Sequence, residues 1–143
     1  MKIDERAKEL ARIVVEYSTE VKKGDLVAIN GEVIALPFME EIARRVVDIG
    51  AYPVLQAGSP MASRYFYEHA ADGQLARLPN YEVAKAEELD AYIGIKAQMN
   101  PLNLQGVEPG RISAVSRARA TINDIIIGDG AKFKAFMGRL RER

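Results

Sequence analysis

Metal or nucleophile chemistry in this chain would have to be built around His69, because the sequence has one histidine and no cysteine. Zinc-type sites need imidazole, thiolate or carboxylate donors converging from several elements, and no second imidazole is available to pair with His69. Glu87, Glu88 and Asp90 form an acidic cluster. Close neighbours on a helix point in different directions, so this cluster reads as a solvated face ahead of a strand. Ser59, Ser63, Ser113 and Ser116 supply hydroxyls, yet none stands in a Gly-x-Ser-x-Gly elbow and each would depend on the same His69 as base. Neither a catalytic residue nor a metal ligand is therefore assigned.

Phosphate chemistry is equally thin. Asn30-Gly31-Glu32 has one glycine where a dinucleotide fingerprint needs three, Walker spacing is absent, and the Glu32 carboxylate would repel a phosphate. What remains is ligand contact through loops. In open α/β sheets ligands bind at the carboxyl ends of the strands. Those places are Asn30-Gly31-Glu32, Ala57-Gly58-Ser59 and Gln98-Met99-Asn100, with Asn30, Gly31, Glu32 and Asn100 as the candidate ligand-facing residues. The bland alternative is that they are turns chosen for backbone geometry.

The elements that would position these loops follow from hydrophobic period. Lys22-Lys23-Gly24-Asp25 is a polar turn, and Leu26-Val27-Ala28-Ile29 is a short apolar run of the kind buried on both faces of a parallel sheet. Asn30-Gly31 is expected to break it. From Ala35 to Ile49 the apolar positions fall three and four apart (Leu36, Met39, Ala43, Val46), as on one helix face. Glu40, Glu41, Arg44, Arg45 and Asp48 take the other face, with Glu40–Arg44 and Glu41–Arg45 spaced to pair. Gly50 stands where a C-cap glycine belongs. Tyr52-Pro53-Val54-Leu55 is a second strand, completing a βαβ unit with a right-handed crossover.

The rest of the chain continues the alternation. Asp4 caps a first helix with Ala7, Leu10, Ala11, Val14, Ser18 and Val21 on one face. Ala57-Gly58-Ser59-Pro60 is a turn, followed by a helix over 61–71 that buries Tyr65, Phe66 and Ala70 and pairs Arg64 with Glu68. Asn80 caps a further helical piece through Leu89, and Ala91–Ala97 is a third strand. Gln98 to Gly110 is a loop and Arg111–Asn123 a helix. Ile125-Ile126-Ile127 reads as a fourth short strand, and Lys132–Arg143 as a last helix burying Phe133, Phe136, Met137 and Leu140. This pattern predicts an α/β fold: a mostly parallel sheet flanked by helices, a Rossmann-like three-layer sandwich in a single domain over residues 1–143.

Composition excludes several partners. Twenty basic and twenty acidic side chains cancel, so no overall charge favours nucleic acid or an anionic membrane. The basic side chains Lys132, Lys134, Arg139, Arg141 and Arg143 lack interleaved exposed aromatics and read as a solvated helix side. A hydrophobic share of 48% with 28% charged residues fits a globular protein, and no apolar run approaches a membrane span or signal peptide. A cytoplasmic location is expected.

The order of residues adds a resemblance. Ala7-Lys8-Glu9-Leu10-Ala11, Tyr17-Ser18, Val21-Lys22-Lys23-Gly24-Asp25 and Ile29-Asn30-Gly31-Glu32 resemble the start of the thermophilic-type metallo-aminopeptidases, the aminopeptidase T/aminopeptidase S family, in its archaeal branch. So do Ala35-Leu36-Pro37, Gly50-Ala51-Tyr52-Pro53-Val54, Phe66-Tyr67-Glu68-His69-Ala70, Asp90-Ala91-Tyr92-Ile93, Ile95-Lys96-Ala97 with Asn100, Val107-Glu108-Pro109 and Ser116-Arg117-Ala118-Arg119. The resemblance implies the N-terminal α/β domain of such an enzyme. In that family two divalent metal ions, of zinc or cobalt type, are held by Glu, His, Asp and Tyr ligands in a larger C-terminal domain. None of those ligand motifs can be placed on this sequence, so no cofactor is expected in it.

The resemblance further implies a peptide substrate that loses its N-terminal amino acid, and a homodimer. The chain alone is expected to be inactive. Two other readings stand beside it. One is a stand-alone module binding a small anionic ligand or nucleotide after Ile29, which ligand-dependent melting would reveal. The other is a non-catalytic assembly protein paired through its first and last helices, which light scattering would reveal.

Overall fold

The computed structural model describes residues 3–96, 102–128 and 134–139. The first helix, α1 (Glu5–Ile13), begins where Asp4 accepts the Ala7 N–H at 2.8 Å. It runs on into a π-helical turn, Val14–Ser18, closed by the Thr19 hydroxyl donating to the Val14 carbonyl at 2.8 Å. The wider π turn rotates the apolar face. Val14, Val15 and Thr19 are buried, while Leu10 and Ser18, expected on the inner face, are turned outward.

Strand β1 is Leu26–Glu32, followed by a 3₁₀ turn (Val33–Ala35) and α2 (Leu36–Ile49). Gly50 ends α2 in the left-handed region at φ +92°, and the N–H groups of Gly50 and Ala51 satisfy the Val47 and Val46 carbonyls at 2.9 and 3.1 Å. A Cβ at position 50 would lie 3.0 Å from Lys23 Cγ. Gly50→Ala is therefore expected to cost about 1–2 kcal/mol, chiefly from the left-handed backbone. Urea denaturation reads this as a lower midpoint at unchanged slope, and an unchanged midpoint would contradict it.

Strand β2 (Tyr52–Gly58), α3 (Pro60–His69), α4 (Asp72–Ala76), α5 (Asn80–Glu88), β3 (Ala91–Lys96), α6 (Pro109–Asn123) and β4 (Lys134–Arg139) complete the chain, with a second π-helical turn, Asp124–Gly128, after α6. The sheet order is β2-β1-β3-β4, and every neighbouring pair is parallel. On one face Val27, Ile29, Ala91, Ile93 and Ile95 pack with Ala11, Val14 and Val15 of the first helical segment and with Phe38, Met39, Ile42 and Val46 of α2. On the other face Ala28 and Leu89 are buried, with Leu26, Tyr92 and Ile125 against them. The fold is thus α/β, a parallel sheet between two helical layers, as the alternating pattern predicts.

Several elements differ from the sequence expectation. Asn30-Gly31-Glu32 continues β1 instead of breaking it, and Ala57-Gly58 continues β2, because the seven-residue registers Leu26↔Tyr52 to Glu32↔Gly58 bond to each other over their full length. Glu41 belongs to the buried side of α2, held between Arg44 at 2.7 Å and Arg45 at 3.4 Å. In α3 the Arg64–Glu68 pair forms at 2.7 Å, but Tyr65 and Phe66 are exposed, and the helix packs against α6.

Ile125-Ile126-Ile127 is not a strand. The turn Asp124–Gly128 prolongs α6 and brings Ile125 against the second core cluster. The expected last helix over 132–143 is replaced, across Lys134–Arg139, by a strand whose pairing with Ala91–Lys96 satisfies the otherwise open edge of β3. Residues 132–133 and 140–143 lie outside the described residues. An assembly contact through a last-helix apolar face therefore loses its element.

Candidate functional site

Strand alternation decides which side chains reach the second face of the sheet. In β1, Val27 and Ile29 point into the core, and Leu26, Ala28 and Asn30 point the other way. Val54 and Gln56 of β2 and Tyr92 of β3 share this second face. Helices α5 and α6 stand over it without closing on β2, and the gap is a cavity of about 480 Å³. Its walls include Leu26, Ala28, Val54, Ala86, Leu89, Ile122 and Ile126, and its charged side chains are Glu82, Lys85, Glu88 and Arg119.

The floor is polar. Asn30 and Tyr92 both line it, and the Asn30 Oδ1 is buried and has no hydrogen-bond partner in the protein. At the rim Glu82 is shared by two cations, Lys85 at 3.2 Å and Arg119 at 3.9 Å. Burial pushes the Tyr92 phenol above its ordinary value of 10.0, against the opposing pulls of the neighbouring Asn30 amide and the Arg119 charge. Removing the phenolate from water is the dominant effect.

This shift carries a pH consequence. Below about pH 10 the phenol is neutral in both folded and unfolded chains and its stabilising difference is fully present. As pH rises, the unfolded chain loses the proton first, so stability falls through the window up to the raised folded value. Tyr92→Phe is expected to flatten that alkaline loss in urea melts taken across the window. An identical slope in the variant would refute the assignment.

Of the predicted ligand-facing residues, Asn30 lines the cavity. Gly31 does not, because its Cα faces the opposite layer, where a Cβ would meet Met39 Sδ at 3.1 Å. Glu32 ends β1, half-buried and away from the cavity lining. Asn100, with Gln98 and Met99, lies outside the described residues. Ser59 caps α3, its Oγ accepting the Ala62 N–H at 3.3 Å. His69 is exposed at the end of α3 and stacks on Tyr65 with ring centroids 4.3 Å apart.

The acidic cluster is split by structure. Asp90 clamps the start of β1, its Oδ2 accepting the Leu26 N–H at 2.8 Å and its own N–H donating to the Leu26 carbonyl at 2.9 Å. Glu88 turns to the cavity. Among the described residues no group of three or more His, Asp or Glu side chains stands close enough to hold a metal ion, so these donors do not fit one.

Gln56, Tyr92, Lys85 and Arg119 were not among the sequence candidates. Extending the alternation of β1 by one residue would have placed Asn30 on the second face, but the other four reach it only through sheet order and helix docking. A second unforeseen feature braces α3. Arg111 donates Nε to the Tyr67 carbonyl at 2.6 Å and Nη2 to that of Ala70, and Asn103 Nδ2 donates to the Pro60 carbonyl at 3.0 Å.

A family model described as thermophilic metalloprotease (M29) matches residues 3–134. No curated protein sequence matches significantly. Among solved structures, wild-type AmpT from Thermus thermophilus shares this fold with a TM-score of 0.70 at 16% identity. The match covers 95% of this chain and 36% of that one, so the present chain spans about a third of its structural neighbour.

Proposed function

From the premise that this chain belongs to the thermophilic metalloprotease family, we propose that it supplies the N-terminal α/β domain of a metal-dependent aminopeptidase. The reaction is release of N-terminal amino acids from peptides by a larger polypeptide or assembly. The observation that carries this reading is the family match over residues 3–134, on a fold shared with a chain of which it covers 36%.

In this reading a pair of divalent metals, of zinc or cobalt type, is held outside the residues described here. The donors present argue for that division, since His69 is exposed and does not line the cavity that Glu82 and Glu88 face. A paired-metal centre would activate water and polarise the scissile carbonyl. This chain's part is a wall or contact beside it. The reading extends to a cytoplasmic homodimer acting on peptides, without nucleic acid or membrane partners. No helix among the described residues is long and apolar enough to cross a membrane.

The test is hydrolysis of leucyl-p-nitroanilide by the purified chain with added cobalt or zinc, together with bound-metal analysis. No turnover and no stoichiometric metal is the expected result. Turnover with tightly bound metal would overturn the division of labour. The cavity over β1, β2 and β3 separately favours a ligand-binding role within the same domain.

A further inference from the structure

We propose that the cavity between the sheet and helices α5 and α6 binds the carboxyl end of an N-acylated apolar amino acid, the chemistry of a short peptide's C-terminus. The proposal does not rest on the peptidase reading. It rests on three features of the cavity that ask for different parts of one molecule.

The first is the Asn30 amide. Its Oδ1 is buried without a protein partner, on the sheet face it shares with Tyr92. A buried acceptor left unmade costs about 1–3 kcal/mol, so a ligand donating there gains what the protein alone forgoes. The surroundings are apolar and the acceptor is neutral, which suits an amide N–H. A free ammonium would lose its hydration without a matching charge.

The second is the rim. Lys85 and Arg119 share the carboxylate of Glu82, and Glu88 is the second acid of the lining, so what the rim offers a carboxylate is the directional Arg119 guanidinium and not a net charge. The guanidinium is half-exposed and only 3.9 Å from Glu82, a loose pairing that a bidentate carboxylate can replace. The third is the apolar wall between floor and rim, formed by Val54, Leu89 and Ile122. A volume of about 480 Å³ accommodates an acylated amino acid or dipeptide. Gln56 stands on the same sheet face as Asn30 and offers a second amide to the acyl group.

The experiment is calorimetric titration of the whole chain with N-acetyl-L-leucine, set against L-leucine, N-acetyl-L-leucinamide and adenosine monophosphate. Saturable binding of N-acetyl-L-leucine is expected, with L-leucine and the leucinamide each weaker by about tenfold or more, since each lacks one of the matched groups. Arg119→Gln, at the half-exposed rim, should weaken the acid about tenfold while leaving the leucinamide unchanged. Asn30→Leu should weaken both acylated compounds.

Equal affinity for acid and leucinamide, or no effect of Arg119→Gln, would overturn the proposal. So would the absence of saturation by any compound, or preference for the nucleotide. If Asn30→Leu fails to fold, Arg119→Gln and the ligand series still decide the matter. None of these readouts involves peptide hydrolysis, so failure here leaves the domain assignment standing, and the reverse.

Discussion

Ile29→Ala is expected to lower the stability of the domain by about 4 kcal/mol, the upper part of the range for a buried large-to-small substitution. Ile29 is fully buried in β1, opposite Leu55 on one side and Ile93 on the other. It belongs to the cluster that includes Met39 and Ile42 of α2. Packing strands on both sides and a helix above leave little freedom to collapse into the space. Against a total stability of roughly 5–15 kcal/mol, the change removes a large fraction. Urea denaturation should show a much lower midpoint at unchanged slope. Val54→Ala, on the exposed β2 edge, is the control and should cost far less. Equal losses at the two positions would show that β1 is not the centre of the sheet.

Gly31→Leu should cost about 3 kcal/mol for the opposite reason, overpacking. A Cβ at this position would already stand 3.1 Å from Met39 Sδ and 3.4 Å from both the Cβ and the carbonyl oxygen of Ile95. The strand backbone cannot retreat while it is bonded to β2 and β3. Only the methionine can move. Met39→Ala made together with Gly31→Leu is therefore expected to recover part of the loss, a coupling that a double-mutant cycle measures. Strictly additive effects would mean that the leucine does not enter the core.

Gly31 also illustrates how a residue type misleads when read locally. A glycine after an apolar run signals a turn, and Asn30-Gly31 is among the strongest turn pairs. Here the same glycine continues a strand because α2 and β3 approach too closely for a side chain. Its neighbour Asn30, counted as a turn residue for the same reason, instead supplies the cavity's buried acceptor. The turn reading of both fails once β2 pairs along the whole of Leu26–Glu32.

The two ends of the chain show the same division. Asp4 capping, the Gly50 stop and the Arg64–Glu68 pair were legible because each depends on residues within one helical turn. The residues at 134–139 carry apolar side chains at spacings compatible with either helix or strand, and the open edge of β3 decided for a strand. Arg111 gives no local signal of its contacts with the Tyr67 and Ala70 carbonyls, more than forty positions away.

What the sequence by itself determined, then, is the α/β class, the βαβ unit, the Asp4 cap, the Gly50 stop and the family likeness, all carried by short-range periodicity and by residues close in the chain, whereas Asn80, expected as a cap, is the first residue inside α5. Tertiary structure alone decided the strand order, the far end of β1, the strand at 134–139, and the meeting of Asn30, Gln56, Tyr92, Lys85 and Arg119 around one cavity. Local backbone preferences act over a few residues and leave their mark in the sequence as a period. A site assembled from three strands and two helices depends on register and packing between segments far apart in the chain, for which no local period exists.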